Sequence, residues 1–86
     1  MINVVHRANG RGLVKLHLED NEIGSIEGLE KLFSLEVLNL ERNQLRGLGK
    51  GLSKLSKLRE LRLALNELSS LEGLQGLASL EALALS

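Results

Sequence analysis

The segment LVKLHLEDN, residues 13–21, places three leucines and one asparagine at spacings of three, two and three residues. The same spacing recurs in LEVLNLERN, residues 35–43, and in LRELRLALN, residues 58–66. A fourth copy begins with LEALAL at residues 80–85. The first leucines of successive copies are 22, 23 and 22 residues apart, so the chain is built from repeats.

Each first half predicts a short strand, because the side chains of a strand alternate between its two faces. Leu16 and Leu18 then point into a core, whereas Lys15, His17 and Glu19 point to the inner, concave surface of a coil. A fully buried leucine contributes roughly 1.5–3 kcal/mol. One coil has too few leucines to be stable alone, so the coils must stack on one another.

The second half of each repeat carries apolar residues at intervals of three, which suits a 3₁₀ or short helical turn that closes the coil over the same core. The middle copy is one residue longer, and its extra residue falls within Gly49, Lys50 and Gly51. An insertion that keeps both flanking leucine patterns in phase predicts a loop on the outer side of the coil.

Asn21, Asn43 and Asn66 follow the predicted strands, where the chain turns and its backbone N–H and C=O groups lack partners. Leaving one such buried group unsatisfied costs on the order of 1–3 kcal/mol. A side-chain amide both donates and accepts hydrogen bonds. We therefore predict a structural asparagine ladder at these positions, rather than a ligand-binding set.

The segment IEGLEKL, residues 26–32, followed by Leu35 and Glu36, resembles the 22-residue class of leucine-rich repeats, seen in a protein phosphatase regulatory subunit and an axonemal dynein light chain. The resemblance covers residues 13–86. It implies a leucine-rich-repeat solenoid of the α/β class, with short parallel strands on the concave face and 3₁₀, irregular or short helical segments on the convex face.

The repeat frame divides the chain into repeats at residues 13–34, 35–57 and 58–79, followed by a truncated copy at 80–86. Residues 1–12 do not fit this frame. We predict that they form an irregular N-terminal segment or a partial cap built on Ile2, Val4 and Val5.

Equivalent positions of stacked strands form rows across the concave face, since neighbouring strands lie about 4.8 Å apart. The resemblance implies that this face binds a protein partner, and an exposed Leu65 beside Arg62 suits an apolar anchor. In a second interpretation, the apolar end of the face continues into further repeats. The predicted partner-binding residues are Lys15, His17, Glu19, Val37, Asn39, Glu41, Glu60, Arg62, Ala64, Leu65, Ala82 and Ala84, with Ser86 extending the row of Glu19.

Glu19 and Glu41 are predicted to be neighbours on adjacent strands, and like charges placed side by side destabilise a sheet. Two interpretations follow. The pair receives a basic group from a partner, or it is solvated and relieved by Arg62, which lies diagonally from Glu41, with help from His17 when protonated.

The composition argues against other classes of function. Eleven acidic and eleven basic side chains give a formal net charge of zero, so no global field favours nucleic acid or a membrane surface. The chain has no cysteine, which excludes a disulfide framework and favours a cytoplasmic or nuclear protein. We find no motif for catalysis, a cofactor or a metal, and we predict that the chain is not an enzyme.

Two functions remain as hypotheses. In the first, the chain is a non-enzymatic protein–protein interaction scaffold that binds its partner on the concave face. In the second, it is a structural segment of a longer array, and it stacks or forms a homo-oligomer through its uncapped C-terminal strand, which carries Leu83 and Leu85.

Overall fold

Four short strands pair side by side in one parallel sheet, as the leucine spacing predicts. The computed structural model describes residues 4–7, 12–29 and 32–85. A fifth strand, first in the chain, runs antiparallel to its neighbour at one edge. The strands are β1 (Val4–Arg7), β2 (Leu13–His17), β3 (Val37–Asn39), β4 (Glu60–Arg62) and β5 (Ala82–Ala84), and they are ordered β1-β2-β3-β4-β5 in the sheet.

The register joins each strand to the strand one repeat later. Leu16 is paired with Leu38, Leu38 with Leu61, and Leu61 with Leu83. The inward leucines of the middle two repeats are fully buried, because a coil covers them on each side. The repeat frame read from the leucines is therefore the frame of the fold, and it supports a solenoid with a continuous apolar core.

The convex segments are successions of turns. Leu32 N–H donates to the Leu29 carbonyl at 3.0 Å and Leu35 N–H donates to the Leu32 carbonyl at 3.1 Å, and the same pattern recurs in the next two repeats. The described residues contain no helix, so none is long and apolar enough to cross a membrane. Of the convex forms that the sequence predicts, the irregular one is observed in this part of the chain, and helical or 3₁₀ segments are not.

These turns explain why apolar residues spaced three apart predicted a 3₁₀ or short helical turn that is not observed. A helix of either kind needs bonds from consecutive amides, whereas in the described convex segments no two consecutive amides donate to the residue three positions back, and each bond closes a separate turn. These separate turns bury Leu48, Leu52, Leu55 and Leu77 without a helix.

The N-terminal segment contains a strand where the sequence predicts an irregular segment or a partial cap. Within residues 1–12, β1 pairs with β2, with a register irregularity between His6 and Arg7. A sheet edge that is paired no longer offers its backbone groups to another chain. Residues 1–3 and 8–11, including Ile2, lie outside the described part, and the boundaries of the repeats stay a prediction.

The longer middle repeat places its extra residue in an outer loop that packs closely on its neighbours. Gly51 is buried, and a side chain there would lie 2.5 Å from the Ile26 carbonyl oxygen. Gly49 takes a positive φ of 55°, which glycine adopts without steric penalty.

Candidate functional site: the concave face

The strand register brings the predicted concave residues into rows. One row runs through Lys15, Val37, Glu60 and Ala82, and the next through His17, Asn39, Arg62 and Ala84. Backbone bonds extend the sheet beyond the strands, since Asp20 N–H donates to the Glu41 carbonyl and Arg42 N–H to the Ala64 carbonyl, both at 3.0 Å. These bonds align Glu19, Glu41 and Ala64 in a third row, whose predicted fourth member, Ser86, lies outside the described residues.

Two of the predicted contact residues offer little surface. Val37 is only 9% exposed and Ala64 only 7% exposed, although both lie on the concave side. The apolar end of the concave face is therefore formed by Leu65, Ala82 and Ala84, and Ala64 contributes little surface to it.

Arg62 lies at the centre of the charged part of the face. Its Nε is 3.5 Å from Glu41 Oε2 and its Nη1 is 3.6 Å from Glu60 Oε2, so one guanidinium serves two carboxylates. His17 Nδ1 lies 3.8 Å from Glu19 Oε1. The contact required by a solvated acidic pair relieved by Arg62 is thus present, while a basic group from a partner stays a prediction.

A fourth row, at the end of the strands, carries an ion pair and an apolar side chain. Arg42 binds Asp20 through two hydrogen bonds, one from Nε to Oδ1 and one from Nη2 to Oδ2 at 3.0 Å. The hydrogen bonds from Arg42 lower the pKa of the Asp20 carboxyl, and Asp20 raises the pKa of Arg42. In the next repeat the same position is occupied by Leu65, which is 63% exposed.

All three residues of this row adopt the left-handed backbone conformation. The φ angles are 61° at Asp20, 56° at Arg42 and 61° at Leu65. This conformation costs a residue with a Cβ roughly 1–2 kcal/mol, and aspartate tolerates it better than arginine or leucine. Sequence reasoning missed the feature because three chemically unlike residues share it, and none of them is glycine or asparagine.

Asn43 and Asn66 of the predicted ladder join successive coils, whereas the described bonds of the Asn21 amide stay within its own coil. The Asn43 amide donates to the carbonyls of Leu18 and Leu40 at 3.0 and 2.9 Å, and its Oδ1 accepts from Ile23 N–H at 3.1 Å. The Asn66 amide likewise bridges two coils, from the carbonyl of Leu40 to that of Leu63. These contacts hold the strand exits of successive coils in place. The amides of Asn43 and Asn66 therefore serve the fold itself.

The described residues hold no group of three or more histidine, cysteine, aspartate or glutamate side chains that is arranged to bind a metal ion. The chemistry of the concave face is instead that of a recognition surface. It combines paired charges, small side chains and one large exposed apolar residue.

Comparison with known proteins gives one family. Residues 33–86, more than half of the chain, match the family model described as "Leucine rich repeat". The match is to the repeat family as a whole, so the resemblance to the 22-residue class stays a prediction. No curated protein matches the chain.

Proposed function

Because the chain belongs to the leucine-rich repeat family, we propose that it is a non-catalytic interaction module that binds a protein partner on its concave face. Domains of this family commonly mediate protein–protein interaction. Function is carried by sites rather than by folds, so the proposal depends on the residues of this face.

The observation that carries the proposal is Leu65. Its side chain is 63% exposed, at the position where the two preceding repeats carry the paired charges of Asp20 and Arg42. The left-handed backbone is common to all three positions, so the exposed apolar side chain is what distinguishes Leu65. An exposed leucine beside the charged cluster of Arg62 has the composition of an interface core bordered by a polar rim.

The first experiment identifies what contacts Leu65. A photocrosslinking amino acid is placed at position 65, and in a control chain at position 33, since Phe33 is also 56% exposed but lies outside the rows of the concave face. We expect crosslinking to one protein from position 65 and none from position 33. Equal crosslinking from both positions would contradict a concave binding site.

The second experiment measures affinity for the purified protein with Leu65→Asn and its control Phe33→Asn. Asparagine tolerates a positive φ, so Leu65→Asn keeps the fold and removes only the apolar side chain. We expect the Kd to rise at least about tenfold, which corresponds to about 1.4 kcal/mol. Unchanged binding by Leu65→Asn, with the crosslinked partner in hand, overturns the proposal.

A second candidate function is favoured by the other end of the sheet. Leu83 and Leu85 are 40% and 41% exposed, whereas the equivalent leucines of the preceding repeat are fully buried. A structural segment that stacks through β5 would cover them. This function makes no use of Leu65, and Leu83→Lys tests it in sedimentation experiments: a loss of self-association supports stacking through β5, and unchanged association contradicts it.

A further inference from the structure

The convex side of the middle coil carries charges of one sign. Every charged side chain of residues 44–57 is an exposed cation: Arg46, Lys50, Lys54 and Lys57. The described convex residues of the two flanking coils include no cation and carry carboxylates at Glu22, Glu27, Glu67 and Glu72. Stacking therefore places a basic strip, residues 44–57, between two acidic ones. The zero net charge of the chain gives no sign of this segregation.

The lysines of the basic strip form no ion pair among the described residues, although the neighbouring coils carry carboxylates. Lys50 occupies the position of Glu27 and Glu72 in the repeat frame, yet it pairs with neither. By contrast, Arg46 Nε lies 3.7 Å from Glu67 Oε1. The Lys50 ammonium group can therefore receive an anion from another molecule without first breaking an ion pair of the fold.

A groove with a volume of about 680 Å³ runs beside the basic strip, between the middle coil and the coil that follows it. Residues within 46–53 form one wall, and residues within 69–76 form the other. Ser69 N–H and Ser69 Oγ both donate to the Arg46 carbonyl, at 3.1 and 3.3 Å. These bonds tie the two walls together, so the groove is already formed before a ligand binds.

The wall that carries Lys50 also offers backbone donors. The N–H groups of residues 47–50 donate to no acceptor in the part of the chain that the structure describes. Gly49, within this run, has a positive φ of 55°. A left-handed residue within a run of N–H groups is one form of the backbone nest that binds anions. Backbone N–H groups beside an ammonium group are donors that suit a carboxylate.

We propose that this groove binds a short acidic segment of another protein, whose carboxylates bind Lys50, Arg46 and the N–H groups of residues 47–50. The inference adds a second surface to the molecule, goes beyond the concave binding site and does not depend on it. Glu72, on the opposite wall, is the one carboxylate among the lining residues. It repels acidic side chains, and so favours a segment whose negative charges lie along the wall of Lys50.

The surroundings of the groove favour a peptide over larger polyanions. The flanking acidic strips repel a nucleic acid or an anionic membrane, because each of these would cover more than one coil. The basic strip has no aromatic side chain on which a base could stack. A narrow acidic segment avoids both costs, since it fits within one groove.

The test is the fluorescence anisotropy of a labelled polyglutamate peptide, titrated with the 86-residue chain. We expect a Kd on the order of 0.1 mM, because a single groove buries less area than a standard interface. Lys50→Gln should raise the Kd by about two- to fivefold, the range for an exposed ion pair. Glu72→Gln should lower the Kd by about the same factor, since it removes a repulsive charge.

Lys57→Gln is the matched control. It removes the same charge from the same strip, and Lys57 is also exposed and without an ion pair among the described residues, but it lines a different groove. We expect the Kd of this variant to stay within about 1.5-fold of that of the unaltered chain, because salt screens a distant charge. Equal losses from Lys50→Gln and Lys57→Gln would mean that the peptide responds to net charge alone, which overturns the proposal.

A measurement on the unaltered chain tests the backbone donors. Saturating peptide should shift the NMR amide signals of residues 47–50 and leave that of Asn39, on the concave face, unchanged. The proposal is overturned by a lack of peptide binding or by shifts confined to the concave face. Tighter binding of a uridine RNA, or of phosphatidylserine vesicles, at the same salt concentration also overturns it. None of these outcomes bears on the Leu65 experiments, which concern the opposite face.

Discussion

Asn43 illustrates how one side chain fastens two coils. Its amide donates to Leu18 of the preceding coil and to Leu40 of its own, and its oxygen accepts from Ile23. We expect Asn43→Ala to lower the free energy of unfolding by about 1–3 kcal/mol, because Ile23 N–H loses its acceptor. The Leu18 and Leu40 carbonyls each keep one donor, from Asn21 and Asn66. Urea denaturation measures the loss as a lower midpoint with an unchanged slope.

Asn21 provides the matched control. Among the residues that the structure describes, its amide donates only to Leu18 and Glu19 of its own coil, and it is partly exposed, so water can replace the lost bonds. We expect Asn21→Ala to cost about 1 kcal/mol or less. Equal losses at the two positions would show that bridging between coils adds nothing.

The ladder could be predicted from the sequence, whereas the strain beside it could not. A polar residue that recurs in an apolar frame must satisfy buried backbone groups, and this argument needs no coordinates. The left-handed residue that precedes each asparagine gives no such signal. Arg42 and Leu65 hold a conformation that their own preferences oppose, so only the tertiary structure reveals it.

At the scale of elements, the strands were predictable and the convex segments were only partly so. Alternation of inward leucines with outward polar residues has period two, which is specific to a strand. A spacing of three is shared by 3₁₀ helices, short α-helical turns and separate single turns. Hydrogen bonds distinguish them, and the sequence does not show which amides donate.

The outer loop of the long repeat depends on Gly51. A Cβ at this position would lie 2.5 Å from the Ile26 carbonyl oxygen and 2.6 Å from Ile26 Cγ2, and a backbone atom cannot move aside. We expect Gly51→Ala to lower the unfolding free energy by about 1–3 kcal/mol, the usual cost of overpacking. Thermal and urea unfolding measure the change.

Gly47→Ala is the control in the same loop. Nothing lies within 4 Å of a Cβ at Gly47, and its φ is not positive. We expect a change within about 0.5 kcal/mol, and a small gain is consistent with lower entropy of the unfolded chain. A Gly51→Ala protein as stable as Gly47→Ala would mean that the loop shifts freely and does not pack on Ile26.

At the scale of the whole molecule, the net charge is zero, but the charged side chains form ion pairs in a regular order along the coils. The described ion pairs that cross between coils always join consecutive ones: Asp20 with Arg42, Glu36 with Arg59, Glu41 with Arg62 and Arg46 with Glu67. The composition predicted the absence of a global field but not these partners. Partners depend on which side chains the register places side by side.

The Asp20–Arg42 pair predicts how acid affects stability. Because the folded state lowers the pKa of Asp20, the pair contributes fully above the ordinary aspartate value of about 3.9 and is lost as pH falls through the lower folded value. We expect the unfolding free energy of Asp20→Asn to fall less steeply below about pH 4 than that of the unaltered chain.

Denaturation at a series of pH values measures this difference. Asparagine also tolerates the positive φ at position 20, so the backbone is not a confounding change. Glu27→Gln, which removes an exposed carboxylate that has no ion pair among the described residues, should keep the acid response of the unaltered chain. If the unfolding free energy of all three proteins falls equally with decreasing pH, the Asp20–Arg42 pair does not contribute to stability.

The sequence predicted which residues lie in rows on the concave face, but not which of them are exposed. The repeat frame was enough to place Glu41, Arg62 and Leu65 on one face. It could not show that Val37 and Ala64 are buried, because the exposure of each position depends on the packing around it, which the repeat frame does not give.

The register also determines how far apart in sequence the contacting residues are. Leu16 meets Leu38 after 22 residues, Leu38 meets Leu61 after 23, and Leu61 meets Leu83 after 22. Loop-closure entropy depends on the logarithm of loop length, so adding each coil after the first carries nearly the same entropic penalty. In such an architecture, refolding starts with one pair of neighbouring coils and propagates outward, and its rate is set by that first closure rather than by the number of coils that follow.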